Sequence, residues 1–263
     1  MIKRPLRLRD FLDTSNAPSH TNLPWVHTTI AANLLDIMAD GCLTPVPCNV
    51  FKGENLCYLF AGRPAYKFSS EGEASHWQLP VVFVIRFDRE PNFKRIYPFD
   101  SGAFNRKMLP DYITLFDRER FRIDNDPGNV GKVISVFFEN DTRYLKRRPA
   151  SRDTLGKVHN FEPRHQEIEA LIRLYGEHSA AAFDDRAATI EAQLDHAINF
   201  ADHNLLGIVM PEEYARDEDF IAEVKKVARR VRTYDVFPLN VNCYFGQIYS
   251  EVNRIYKDEG LLR

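Results

Sequence analysis

Cysteine is scarce: the chain has four in 263 residues, at Cys42, Cys48, Cys57 and Cys243. That is too few for a disulfide framework at this length, and none stands in a Cys-x-x-Cys pair suited to zinc. Buried or idle thiols are expected. The histidines offer no metal spacing either, since His159, His165, His178, His196 and His203 form no His-x-x-x-His or His-Glu-x-x-His arrangement. A surplus of one charge is also missing. Thirty-five basic against 37 acidic side chains give a net charge of -2, which neither demands nor excludes nucleic acid, because a basic groove can coexist with an acidic remainder. No apolar run approaches the roughly 18 residues of a membrane helix. The opening MIKRPLRLRDFLD carries charge where a signal peptide needs its apolar centre. A cytoplasmic protein without a membrane partner is therefore expected. Internal repeats and low-complexity segments are absent.

What remains reads as mixed α+β, because strands and helices do not alternate in a strict βαβ rhythm. Residues 1–24 form a polar entry arm with one turn of helix near Leu8–Leu12. Trp25-Val26-His27 is a short strand, with Thr28 or Thr29 placed to cap a following helix. Ile30, Leu34, Ile37 and Met38 share one face of that helix, and Gly41 stands where a left-handed cap is wanted. Leu56–Ala61 and the β-branched run Leu79–Phe87 are strands, the second buried on both faces. Residues 88–130 look irregular, Lys132–Phe138 reads as another strand, and the polar stretch Asp141–Pro163 as a surface loop or flap. Pro163 opens a helix with Ile168, Leu171, Ile172 and Tyr175 on one face. Leu205–Met210 is a strand. Phe220, Val224, Val227, Ala228 and Val231 mark an amphipathic helix, Val236–Leu239 an edge strand, and Ile248, Val252 and Ile255 a last helix. The expected domain organisation is a single domain over 1–263, with a flap or acceptor-binding insertion around 88–163.

The stretch Trp25–Tyr66 carries the functional signal. His27-Thr28-Thr29 closes a strand; a helix with Asn33, Ile37 and Gly41-Cys42-Leu43 follows; Tyr58 lies on the next strand. This order resembles the NAD-binding half of the ADP-ribosyltransferase fold. There a strand ending in His precedes an Asn-x-x-x-Ile-x-x-x-Gly-Leu-type helix and a Tyr-bearing strand. Tyr58-Leu59-Phe60-Ala61-Gly62-Arg63-Pro64-Ala65-Tyr66 is similar to the Tyr-Phe-x-Pro-Arg-Ser-Pro segment of DarT-type DNA ADP-ribosyltransferases. The resemblance implies a split mixed β-sheet core flanked by helices, NAD as co-substrate, and a transferase. It also implies a nucleic-acid acceptor, a toxin or antiviral-defence role in a toxin–antitoxin setting, and a neutralising antitoxin protein.

It implies roles for residues too. His27 would hold the ribose hydroxyls on the adenosine side, with Thr28 and Thr29 beside it as cofactor-binding residues. Backbone groups next to His27 would suit the nicotinamide carboxamide. Tyr58 would stack on nicotinamide and Tyr66 would form the other wall. Arg63 would neutralise the diphosphate or orient the acceptor base through its planar fork. A catalytic carboxylate must steady the oxocarbenium-like transition state, and Glu191 is its candidate. Ile190, Leu194 and Ile198 fit a helix there, whereas Ile190, Ala192 and Leu194 fit a strand with Glu191 on the opposite face. Only the strand places Glu191 in a cleft.

Two further features leave alternatives open. The segment 97–104, rich in aromatic residues and turn formers, serves either core-edge packing or acceptor binding. Lys94-Arg95, Arg106-Lys107 and Lys146-Arg147-Arg148 form either a phosphate-tracking groove or scattered surface charge. A transferase acting on protein, or an inactive protein that binds NAD or nucleic acid, are the alternatives to the leading reading.

Overall fold

The longest ladder in the chain joins Trp25–Ile30 to Pro80–Ile85, six residues against six. The computed structural model describes residues 4–65, 73–89, 91–177, 185–202 and 205–262. In chain order the strands are β1 (Trp25–Ile30), β2 (Cys42–Leu43), β3 (Val46–Pro47), β4 (Asn55–Ala61), β5 (Pro80–Ile85), β6 (Arg95–Tyr97), β7 (Glu191–Leu194), β8 (Ile198–Asn199), β9 (Leu205–Pro211) and β10 (Arg230–Tyr234). The α-helices are α1 (Leu8–Thr14), α2 (Leu34–Asp40), α3 (Ser101–Asn105), α4 (Asp111–Thr114), α5 (Gly128–Phe138), α6 (Asp141–Leu145), α7 (Arg152–His159), α8 (Gln166–Gly176), α9 (Glu218–Val227) and α10 (Phe245–Asp258). The architecture is α+β with mainly antiparallel strands. It divides into two compact units, one of residues 1–22, 49–52 and 92–193, the other of 23–48, 53–91 and 194–263.

In the second unit the strand order is β10-β9-β5-β1-β4, with β3 beside β4. Every residue of β5 and β9 is buried, as their continuous apolar sequences require of strands covered on both faces. β9 and β10 run parallel, and α9 supplies the crossover that a parallel pair needs. α10 packs on these two strands through Ile248, Val252 and Ile255, all buried. Gly207 makes that approach possible: a Cβ there would stand 2.7 Å from Ile255 Cδ1. Gly41, at φ 65, closes α2 in the left-handed conformation expected of it.

The first unit is largely helical around the short β6–β7 pair. α5 is the buried helix, with Val130, Val133, Ile134, Phe137 and Phe138 all in the core. Phe138 and Tyr175 of α8 have ring centroids 4.8 Å apart. Burying each such side chain is worth about 1.5–3 kcal/mol.

Five expectations are corrected. Thr28 and Thr29 do not cap a helix; β1 continues through Ile30 because both threonines pair with β5, opposite Val82 and Val81. Lys132–Phe138 is the end of α5, not a strand. Asp126 starts that helix by accepting from Gly128 N–H at 2.8 Å. Its apolar residues also satisfy the i, i+3, i+4, i+7 spacing, an ambiguity that a short apolar run always carries. Asp141–Pro163 holds α6 and α7, whose caps are the side chains of Asn140 and Ser151. Finally, the amphipathic helix stops at Val227. Val231 lies on β10, and no strand forms over Val236–Leu239.

Candidate functional site

β1 and β4 are paired at two positions, Trp25 with Ala61 and Val26 with Phe60. At the next residue the side chain of His27 takes over: its Nδ1 lies 2.9 Å from the Tyr58 carbonyl oxygen. A carbonyl only accepts, so Nδ1 carries the proton. Burial lowers the His27 pKa, outweighing the opposite effect of that hydrogen bond. The ring is therefore neutral, and Nε2 holds a lone pair able to accept from a hydroxyl. Phe83 lies 6.2 Å from the ring centroid. Cys57 Sγ is 3.9 Å from Nδ1, and burial pushes this thiol up to about 12, so it is inert at neutral pH.

The two-residue alternation of strands sorts the neighbouring candidates. Thr29 lies on the His27 side, where its hydroxyl accepts from Asn33 Nδ2 at 2.8 Å. Thr28 points the other way, is 6% exposed, and its Oγ1 has no hydrogen-bond partner among the described residues. Tyr58, which follows Cys57, also turns away from the His27 side, and its hydroxyl meets Cys48 Sγ at 2.7 Å. Arg63 is buried to 1% exposure. It follows Gly62, whose φ of 61 requires glycine's freedom. Gly62 N–H donates to Pro24 O at 2.8 Å, and its carbonyl accepts from Tyr256 Oη at 2.9 Å. Tyr66 lies outside the described residues.

Glu191 belongs to the first unit and begins β7, so the strand reading of its segment is the correct one. The chain enters β7 from a short 3-10 turn over Arg186–Ala188, with Ile190 N–H donating to Tyr144 Oη at 3.0 Å. Glu191 is 1% exposed and its carboxyl accepts three hydrogen bonds. Ser101 donates from its backbone to Oε2 at 2.9 Å and from its hydroxyl to Oε1 at 2.7 Å. Gln193, two residues on and on the same strand face, donates to Oε1 at 2.7 Å. Gln193 in turn accepts from Arg95 Nε at 3.1 Å. The Arg95 guanidinium lies 3.9 Å over the Phe51 ring. Burial, and then the nearby Asp100 charge, raise the Glu191 pKa to about 8 against the pull of these donors. Below that pH the carboxyl holds a proton.

Ser101, Gln193 and Arg95 were not singled out as a group by sequence. Arg95 and Ser101 lay in segments noted for charge and for turn formers, and Gln193 stands at i+2 to Glu191; Ser101 joins through a contact across 90 residues. No family model, curated protein or solved structure matches this chain. Among the described residues no cluster of three His, Cys, Asp or Glu side chains is placed to hold a metal.

The fit to a dinucleotide is partial. His27 and Tyr58 are half-buried. Thr28 and Arg63 are buried and offer a ligand nothing from their present positions. The charge pairs also separate: Arg95 is packed inside, Arg106 and Lys107 are exposed, and Arg147 and Arg148 line a cleft of the first unit.

Proposed function

We propose that this protein is an NAD-dependent mono-ADP-ribosyltransferase acting on nucleic acid, as a toxin or phage-defence effector with a neutralising protein partner. The observation that supports the reading is the parting of β1 from β4 at His27, where a neutral imidazole replaces the backbone ladder. His27 is anchored through Nδ1, so Nε2 is left to accept a ribose hydroxyl. Tyr58 carries over from the resemblance as the nicotinamide platform, and from its place on the other face of β4 it would have to turn to meet a ligand held by His27. Glu191 carries over from the resemblance as the catalytic carboxylate. Its role requires the charged form, which accepts the ribose 2′-hydroxyl and stabilises developing positive charge.

Labelled NAD incubated with separate pools of DNA, RNA and protein tests the proposal. Label in nucleic acid, lost in Glu191→Gln, is expected. Transfer should rise with pH as Glu191 ionises near 8. Label in protein would change the acceptor class, and intact NAD in every pool would overturn the enzymatic reading. The burial of both Arg63 and Glu191 favours one second reading, an inactive protein that binds NAD or nucleic acid. Calorimetric NAD binding without turnover would select it.

A further inference from the structure

The first unit contains a cleft of about 900 Å³ between α4, the turn after α6, the start of α7 and one side of α8. Four arginines line it, Arg147, Arg148, Arg152 and Arg173, against one acidic residue, Glu169. Its remaining wall is aromatic and apolar: Tyr112, Phe116 and Leu115, the last 68% exposed. From this composition we infer that the cleft is a docking groove for single-stranded nucleic acid, with phosphates on the arginines and bases against the aromatic wall.

Three observations carry the inference. First, the Arg173 guanidinium lies 4.0 Å over the Tyr112 ring, giving a flat, cationic platform of the kind on which unpaired bases stack. Second, apart from Arg147, which stands 4.0 Å from the buried Asp185 carboxylate, the cations are only lightly held. Arg148 is exposed and its side chain has no hydrogen bond or ion pair among the described residues. Arg152 pairs with Glu169 and Arg173 with Glu177 on the exposed rim, where such pairs are weak and a phosphate can compete. Third, Arg147 holds φ 48, a left-handed conformation favouring Gly or Asn just past a helix end. That strain aims a long cation along the cleft wall, where Nη2 also reaches the Glu177 carbonyl at 3.3 Å. An acidic peptide would satisfy the arginines, but not the stacked platform beside them.

The inference stands apart from the transferase proposal, because binding is measured without NAD. Fluorescence anisotropy with a labelled single strand of about 12 nucleotides should show saturable binding. Affinity should fall with salt at a log–log slope near -0.7 for each phosphate engaged, about -3 if all four arginines engage one. Arg148→Glu, at an exposed position, should leave the melting temperature unchanged, weaken binding at least tenfold and flatten the slope. Tyr112→Phe should bind as the parent does, whereas Tyr112→Ala should weaken binding with the slope retained. Unchanged affinity in Arg148→Glu would overturn the inference. So would duplex or polyglutamate of equal charge binding as tightly as the single strand.

Discussion

Replacing Glu191 by Gln should make two stability profiles cross. An ordinary carboxyl titrates at 4.5, and in the folded chain burial and Asp100 hold Glu191 at about 8. Between those values the native state keeps a proton that the unfolded chain has lost. Stability therefore falls as pH rises through the interval and levels off above 8. At about 1.4 kcal/mol per pH unit, the gap corresponds to at most about 5 kcal/mol. Glutamine cannot ionise, so the variant lacks this loss. It has one acceptor oxygen where the carboxyl has two, and it leaves a donor from Ser101 or Gln193 unpaired, which costs about 1–3 kcal/mol. Urea titrations at pH 5 should find Glu191→Gln the less stable protein. At pH 9 it should be the more stable by about 2–4 kcal/mol. Parallel profiles across that range would refute the burial argument for Glu191, and with it the expected rise of transfer near pH 8.

Other tests address packing and backbone. Gly131→Ala places a Cβ 2.1 Å from the Ser19 carbonyl oxygen; a loss of about 3 kcal/mol or more, read from urea midpoints, is expected because backbone cannot step aside. Gly207→Ala meets Ile255 Cδ1 at 2.7 Å, so Ile255→Val, which removes that atom, should recover part of the loss. A double-mutant cycle reads this as non-additivity. Arg147→Gly should lower the melting temperature modestly, since relief of about 1 kcal/mol of left-handed strain is outweighed by the lost contacts to the Glu177 carbonyl and the buried Asp185 carboxylate. The same variant should bind single-stranded oligonucleotide more weakly.

Sequence periodicity located those elements whose burial is one-sided or complete. The helix over Ile168–Tyr175 and the last helix at Ile248–Ile255 were legible because their apolar spacing follows the helical period, and the strands at Leu56–Ala61, Leu79–Phe87 and Leu205–Met210 because they are short apolar runs of strand length. Gly41 was legible as a cap, since its φ of 65 suits glycine. Lys132–Phe138 was not, because seven residues of mostly apolar sequence fit helix and strand equally. Asp126 and the approach of Ser19 to Gly131 decided for helix.

At the candidate site the division is sharper. By itself the sequence determined which residue types follow one another: a histidine on a strand, a glycine-capped helix, a tyrosine on the next strand and a glutamate far downstream. Only tertiary structure decided what surrounds them. Strand pairing drew Thr28 and Thr29 into β1, on opposite faces. Burial closed over Arg63, and Ser101, reaching across 90 residues, gave Glu191 its partners. Spacing along a chain records local geometry, whereas solvent exposure and protonation depend on neighbours brought in from distant sequence.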